Sequence, residues 1–296
     1  MNSKNWNCTS LKWYLYNTDC IDFLEKHCDK IKVDCIFTSP PYFNKRSYSG
    51  KCKEQGNKSS YMYSTSGKPL ENEIGYGQTF KDYINSFDKL CQLSSKILKD
   101  SCFFIVVINK IRDKKKTIDL ADIFTNKAKK YGFDLRDKII WIKNNPRTSP
   151  PNSMPYYLDD CWETILVLSK NNAVIKDRDI FKTNIKYKCD NCNNIKLYSN
   201  SSNIIMTNIG FTEKNSTESQ HPAKFPITLP DKILPLYCNK GDLVFDPFSG
   251  SGSTLISCIN NEFNFLGCEL NPVFYNNTID EVNNILNHGK QLHMST

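Results

Sequence analysis

A chain of 296 residues can build one large α/β domain with a small appendage, or two modest domains. Its composition, 39% hydrophobic and 12% aromatic, is enough for a full core, and its longest apolar run, Cys102 to Ile108, is far too short to span a bilayer, which excludes a helical membrane protein. The formal charge of +8 suits a polyanionic partner, because neutralised phosphates release counterions, although abundant Lys and Asn also follow from an AT-rich coding sequence. No signal-peptide pattern opens the chain, which points to a cytosolic protein without membrane attachment. Thirteen cysteines, an odd number, then argue against a disulfide framework and for small buried residues such as Cys35 and Cys102. A single CxxC, Cys189 to Cys192, lacks the second ligand pair that tetrahedral zinc needs, so no metal is expected.

The N-terminal third alternates strand and helix. Lys32 to Thr38 is a β-branched, apolar run that stops at a double proline, so Ser39 to Tyr42 falls at a strand's C-terminal end, where open α/β sheets place their sites. Phe43 to Gln78 is rich in Gly, Ser, Lys and Tyr and reads as a long mobile loop. Thr79 and Asp82 form a capping pair ahead of a helix whose apolar face is Phe80, Tyr83, Ile84, Phe87, Leu90 and Cys91. Cys102 to Ile108 is expected as a buried strand, Ile118 to Tyr131 as a helix closed by Gly132, and Leu135 to Lys143 with Glu163 to Ser169 as a further strand pair. Asn144 to Pro155 reads as an irregular connection. From Asn171 to Gln220 periodicity weakens, which marks a variable insert with a few short strands. Regular structure resumes with helix Leu229 to Tyr237, strand Leu243 to Phe245, a Gly-rich turn, helix Thr254 to Asn261 and strand Phe265 to Cys268. The expected organisation is therefore 1–170 with loop 43–78, insert 171–220, and 221–296.

Two short motifs carry the chemistry. In Thr38-Ser39-Pro40-Pro41-Tyr42 the prolines preset a polar corner beside an aromatic ring, suited to holding a planar amino group. In Asp246-Pro247-Phe248-Ser249-Gly250-Ser251-Gly252 the glycines allow close backbone approach, and the helix after them offers unpaired N–H groups. Glu269 follows Gly250 by nineteen residues at the end of the next strand, where a carboxylate can accept ribose hydroxyls. Taken alone, this turn also has a plainer reading, an ordinary tight βα connection.

Together and in this order, the two motifs resemble those of the beta-class DNA amino-methyltransferases, in which the catalytic half precedes the cofactor half. The resemblance covers roughly Tyr14 to Asn276, outside the loop and the insert. It implies a doubly wound, mostly parallel Rossmann-like sheet with a small inserted target-recognition region, and S-adenosyl-L-methionine as cofactor. The cofactor positions it implies are Asp246, Pro247, Phe248, Ser249, Gly250, Gly252 and Ser253 in the turn, with Glu269 and Asn271 after it and Thr38 before the catalytic corner. His221, Pro222, Lys224 and Phe225 match the stretch that lines the methionine end, and Asp19 matches the position near the adenine amino group, with Thr18 where the family usually has Gly.

An exocyclic amine is a poor nucleophile because its lone pair is delocalised into the ring. Ser39 Oγ and the Pro40 carbonyl would hold its hydrogens, with Pro41 fixing the backbone and Tyr42 stacking on a flipped base. Within the family, Ser before Pro-Pro-Tyr is typical of N4-cytosine enzymes and Asp of N6-adenine enzymes, so the expected product is N4-methylcytosine, with N6-methyladenine as the alternative within the same family. Methylation at cytosine C5 needs a cysteine after a proline, and no Pro-Cys pair exists. An inactive DNA binder, an RNA or protein-glutamine methyltransferase and a dinucleotide oxidoreductase are the rival readings. Motif order disfavours the second, and the absent third glycine the last. Lys45, Arg46, Lys51 and Lys53 in the loop, and Lys182, Lys186 and Lys188 in the insert, are candidate contacts to double-stranded DNA. The resemblance also implies a cognate restriction endonuclease as functional partner, and a monomer or homodimer.

Overall fold

The computed structural model describes residues 11–43, 70–113, 116–144, 158, 160–177, 182–188, 195–208 and 225–294. In chain order the elements are β1 (Trp13–Asn17), α1 (Cys20–His27), β2 (Val33–Thr38), α2 (Phe80–Ile97), β3 (Leu98–Ile108), β4 (Ile111–Asp113), β5 (Lys116–Ile118) and α3 (Leu120–Lys129). They continue as β6 (Asp134–Lys143), β7 (Trp162–Ser169), β8 (Lys182–Lys188), β9 (Ile195–Ser201), β10 (Ile204–Thr207), α4 (Thr228–Tyr237), β11 (Leu243–Asp246), α5 (Ser253–Asn260), β12 (Asn264–Glu269) and α6 (Pro272–Met294).

Eight strands form one sheet in the order β1-β12-β11-β2-β3-β7-β6-β10. The run from β1 to β3 is parallel, β7 is antiparallel to both its neighbours, and β10 is parallel to β6. Strand alternation sorts the apolar side chains onto two faces. Ile36, Phe104, Val106, Leu166 and Phe245 join α1, α2 and α3 in one core. Cys35, Phe37, Phe103, Ile105, Val167 and Val244 join α4, α5 and α6 in the other. Such two-sided burial explains why the central strands read as continuous apolar runs.

Thr79 caps α2, its hydroxyl accepting from Asp82 N at 3.2 Å. Asp119, not Ile118, opens the third helix, its carboxylate accepting from Ala121 N and Asp122 N. Ile118 instead pairs with Ile111 in the β4–β5 hairpin, which the helical spacing concealed. Cys35 is buried as expected, while Cys102 is partly exposed. Within 171–220, β8 and β9 form their own two-stranded sheet, but β10 joins the edge of the large one. At the end of loop 43–78, Ile74 is buried in the first core, so the last residues of that stretch are a packed strap. No helix among the described residues is long and apolar enough to cross a membrane.

Candidate active site

Neighbouring strands β2 and β11 send their chains in opposite directions across the sheet, β2 on to β3 and β11 on to β12. This is the switch point of a doubly wound sheet, where the loops diverge and leave a crevice at the strands' C-terminal ends. Both sequence motifs end there, although they lie more than 200 residues apart: Thr38 Oγ1 donates to Asp246 Oδ1 at 2.7 Å.

A cavity opens in this crevice. Its wall holds Ser39 and Pro41 from the Pro-Pro-Tyr corner, Pro247 to Ser251 and Ser253 from the Gly-rich turn, Cys268 to Asn271 from the end of β12, Thr18 to Cys20 at the start of α1, and Phe225. Expected site residues Asp19, Ser39, Pro41, Phe225, Pro247, Phe248, Ser249, Gly250, Ser253, Glu269 and Asn271 thus meet in one place. Thr38, Pro40, Tyr42, Asp246 and Gly252 do not line the wall and stand behind or beside it. His221, Pro222, Lys224, Lys45, Arg46, Lys51 and Lys53 lie outside the described residues, as do Cys189 and Cys192. Lys182, Lys186 and Lys188 lie on β8, and their side chains are outside the described set.

Asp246 is fully buried and accepts from three donors: Thr38 Oγ1, Thr254 Oγ1 at 2.6 Å and Phe248 N at 3.0 Å. It ties β2 to the Gly-rich turn and to α5. The turn is shaped by close approaches. Gly252 has φ +77°, and a Cβ there would fall 2.4 Å from Thr278 Cγ2 on α6. A Cβ on Gly267 would fall 2.4 Å from Ser249 Oγ, so only glycine lets β12 pass beneath the turn. Glu269 closes the far side, its carboxylate accepting from Gly250 N and Asn271 N, each at 2.8 Å. Asp19 caps α1 by accepting from Ile21 N at 2.8 Å and Asp22 N at 2.9 Å, and burial raises its carboxyl above the ordinary range.

The Pro-Pro-Tyr corner is braced separately. Tyr83 Oη donates to the Pro41 carbonyl at 2.9 Å, and Tyr42 Oη donates to Glu163 Oε2 at 3.0 Å. Four residues that sequence reasoning passed over, Leu70, Asn72, Glu73 and Ile74, complete the cavity wall from the packed end of the loop. Glu73 is buried and accepts from Leu70 N at 2.8 Å. The positive φ of Asn72 (63°) beside two Gly residues shows a defined turn; Asn-x-x-Gly-x-Gly was the available signal. Among the described residues, no group of three or more His, Cys, Asp or Glu could hold a metal ion.

Loss of solvation outweighs the donated hydrogen bonds at both buried carboxyls, pushing Asp246 to about 6 and Glu269 to about 7. Their ordinary values are 3.8 and 4.5. The folded state therefore keeps these protons longer than the unfolded chain does. The stability this confers is fully present below the unfolded values and is lost as pH rises through about 6 and about 7. Relative to Glu269→Gln, which cannot titrate, the cofactor-free protein is expected to lose on the order of 3 kcal/mol of unfolding free energy between about pH 4 and pH 8. Urea titrations of both proteins across that range check it; a constant difference would show that Glu269 titrates normally.

Comparison with known proteins agrees with this architecture. The chain is 27% identical over 267 residues to the Type II methyltransferase M2.MboI of Moraxella bovis, covering 86% of this chain and 82% of that protein. It is 23% identical over 262 residues to the orphan methyltransferase M.BamHII of Bacillus amyloliquefaciens, covering 82% and 85%. Among solved structures, the cytosine-N4-specific PvuII DNA methyltransferase shares the fold with a TM-score of 0.62 at 18% identity, over 92% of this chain and 86% of that one. TTHA0409 of Thermus thermophilus, in complex with S-adenosyl-L-methionine, shares it with a TM-score of 0.58 at 18% identity, over 90% and 93%. The family model for DNA methylases of the N6/N4 type matches residues 33–280, a span that begins at β2, ends within α6 and contains both motifs of the cavity wall. With the Pro-Pro-Tyr corner and the Gly-rich turn meeting across the switch point inside that span, the chain belongs to the N6/N4 DNA methylase family.

Proposed function

We propose that this protein transfers a methyl group from S-adenosyl-L-methionine to the exocyclic N4 of a cytosine flipped out of duplex DNA. The observation that carries this reading is the placement of Ser39, a neutral hydroxyl, on the wall of the same cavity as the Gly-rich turn and Glu269. The residues fit the cofactor: Gly250 on the cavity wall, a helix N-terminus behind the turn and a buried carboxylate opposite. When bound, S-adenosyl-L-methionine supplies an electrophilic methyl group on a sulfonium.

Glu269 would accept from the ribose hydroxyls, and the turn from Pro247 to Gly250 would line the methionine side. Phe225, whose carbonyl accepts from Ser253 Oγ at 2.8 Å, would pack along the same side. Ser39 Oγ and the Pro40 carbonyl would accept the two amino hydrogens of cytosine, favouring a pyramidal nitrogen whose lone pair faces the methyl. Tyr42 would stack on the extruded base. Ser39 favours cytosine because a hydroxyl both donates and accepts, whereas an aspartate at this position only accepts.

Segment 171–220 is proposed as the target-recognition region, and a restriction endonuclease of the same specificity as the functional partner. The relatives named Type II methyltransferases support that pairing. The test is incubation with unmethylated duplex DNA and methyl-labelled cofactor, then mass spectrometry of the nucleosides. N4-methylcytosine is expected. N6-methyladenine would keep the mechanism and overturn the base assignment, and no labelled nucleoside with cofactor bound would sink the reading.

A further inference from the structure

Tyr42 is anchored by its hydroxyl. It donates to Glu163 Oε2 at 3.0 Å, and the other carboxylate oxygen of Glu163 pairs with Lys143 Nζ. Glu163 and Lys143 come from the antiparallel pair β6 and β7, where Trp141 stands directly opposite Glu163. Cross-strand neighbours on one face of a sheet are held rigidly, and Lys143 is further placed by its ammonium lying 5.3 Å from the Trp141 ring centroid. Trp141 is itself fixed, its indole N–H donating to Thr207 Oγ1 at 2.8 Å. Both members of the ion pair are largely shielded, with side chains 15% and 14% exposed, so the pair is poorly screened and geometrically defined.

We propose that Glu163 and Lys143 are positioning residues for methyl transfer: they clamp the Tyr42 hydroxyl and so set the plane of the ring against which the target base stacks. This rests on the reading of Tyr42 as the stacking platform. A ring free to rotate about χ1 and χ2 would still attract a flipped base, but would hold it in a spread of orientations. Only a fraction of those would present the amine to Ser39 and the methyl donor in line. The backbone alone does not supply this constraint. Tyr83 fixes the Pro41 carbonyl, one residue before Tyr42, whereas the Tyr42 ring projects toward β7 and is fixed at its far end. Lys143 has a second effect. It balances the Glu163 charge beside a crevice that must admit a phosphate backbone.

The test uses the full chain with unmethylated duplex DNA and methyl-labelled S-adenosyl-L-methionine, measuring kcat, KM for DNA, cofactor Kd and Tm. Tyr42→Phe and Glu163→Gln are each expected to lower kcat roughly tenfold with cofactor Kd unchanged. The double variant should be no slower than the slower single one, because both remove the same contact. Lys143→Met should behave like Glu163→Gln, and Lys143→Arg should restore most of the rate by keeping the ion pair. A purely structural role would lower Tm without this split between kcat and cofactor affinity or the non-additivity. Wild-type kcat in Tyr42→Phe and Lys143→Met, or multiplicative losses in the double variant, would overturn the proposal. Should Glu163→Gln fail to fold, Tyr42→Phe carries the test, since it leaves the Glu163–Lys143 pair in place. Tyr42→Ala separates the two levels: full activity there removes the stacking platform itself, whereas a collapse beside an unimpaired Tyr42→Phe removes only the clamp.

Discussion

Ser39→Ala is expected to lower kcat by roughly 10²- to 10³-fold while cofactor Kd stays within about twofold, the loss typical of deleting one preorganised polar group at a reacting centre. Its surroundings make the change local. Thr38, immediately before it, is fully buried and tied to Asp246, and Pro41, two residues later, has its carbonyl held by Tyr83. The backbone on both sides is therefore fixed by contacts that do not involve the Ser39 hydroxyl, and removing that oxygen should leave the corner's shape intact. An acceptor for an amino hydrogen matters most when nitrogen becomes pyramidal, so kcat and kcat/KM should fall together. Single-turnover transfer of labelled methyl groups to duplex DNA, beside a cofactor-binding titration, checks both halves. Activity within about threefold of wild type would mean that the amine is held by other groups, and the role given to Ser39 would be lost. A parallel loss of cofactor affinity would move Ser39 into the cofactor site.

Local chemistry was the legible part of this fold. The double proline after an apolar run marked the end of β2, Thr79 and Asp82 marked the start of α2, and glycines after Leu243 to Asp246 marked the turn before α5. Less legible were features decided by distant partners. Ile118 fits a helical stripe with the residues after it, yet Ile111 claims it for a hairpin. Helix α6 carries many Asn residues, poor helix formers, and is held by tertiary contacts such as the burial of Val282. Strand β10 looked like part of an insert because its pairing with β6 spans more than sixty residues of chain. The same limit applies within the site. The corner and the turn were recognisable as motifs, and Asn-x-x-Gly-x-Gly marked a turn around Glu73, but the burial of Glu73 in the cavity wall and the contact between Tyr42 and Glu163 depend on packing that no local pattern encodes. Thr38 and Asp246 were legible as motif members; only their burial reveals that they face each other behind the cavity wall.

That contact is a buried side-chain join between β2 and β11, and Asp246→Ala should therefore cost on the order of 4 kcal/mol of stability. Three donors lose their acceptor at once: the hydroxyls of Thr38 and Thr254 and the amide of Phe248. All are near a fully buried position, where an unpaired polar group keeps its full desolvation cost and the missing carboxyl leaves a void. Asp246→Asn separates the hydrogen bonds from the charge. Its carbonyl oxygen can still accept from Phe248 N and Thr38, and its amide can donate to the Thr254 hydroxyl, which rotates to accept. The Asn variant should accordingly lose only about 1–2 kcal/mol at about pH 5. It should also lack the part of the pH dependence that belongs to Asp246, whose folded value of about 6 stands above its ordinary 3.8. Wild-type stability from this group is present below the lower value and gone above the higher one, so the gap between wild type and Asn should narrow as pH rises from about 4 to 7. Urea unfolding of the three proteins at several pH values measures both effects. A gap that widens with pH would mean that Asp246 is held ionised, its three donors outweighing burial. An alanine variant within about 1 kcal/mol of wild type would show that the Asp246 hydrogen bonds add little to the pairing of β2 with β11.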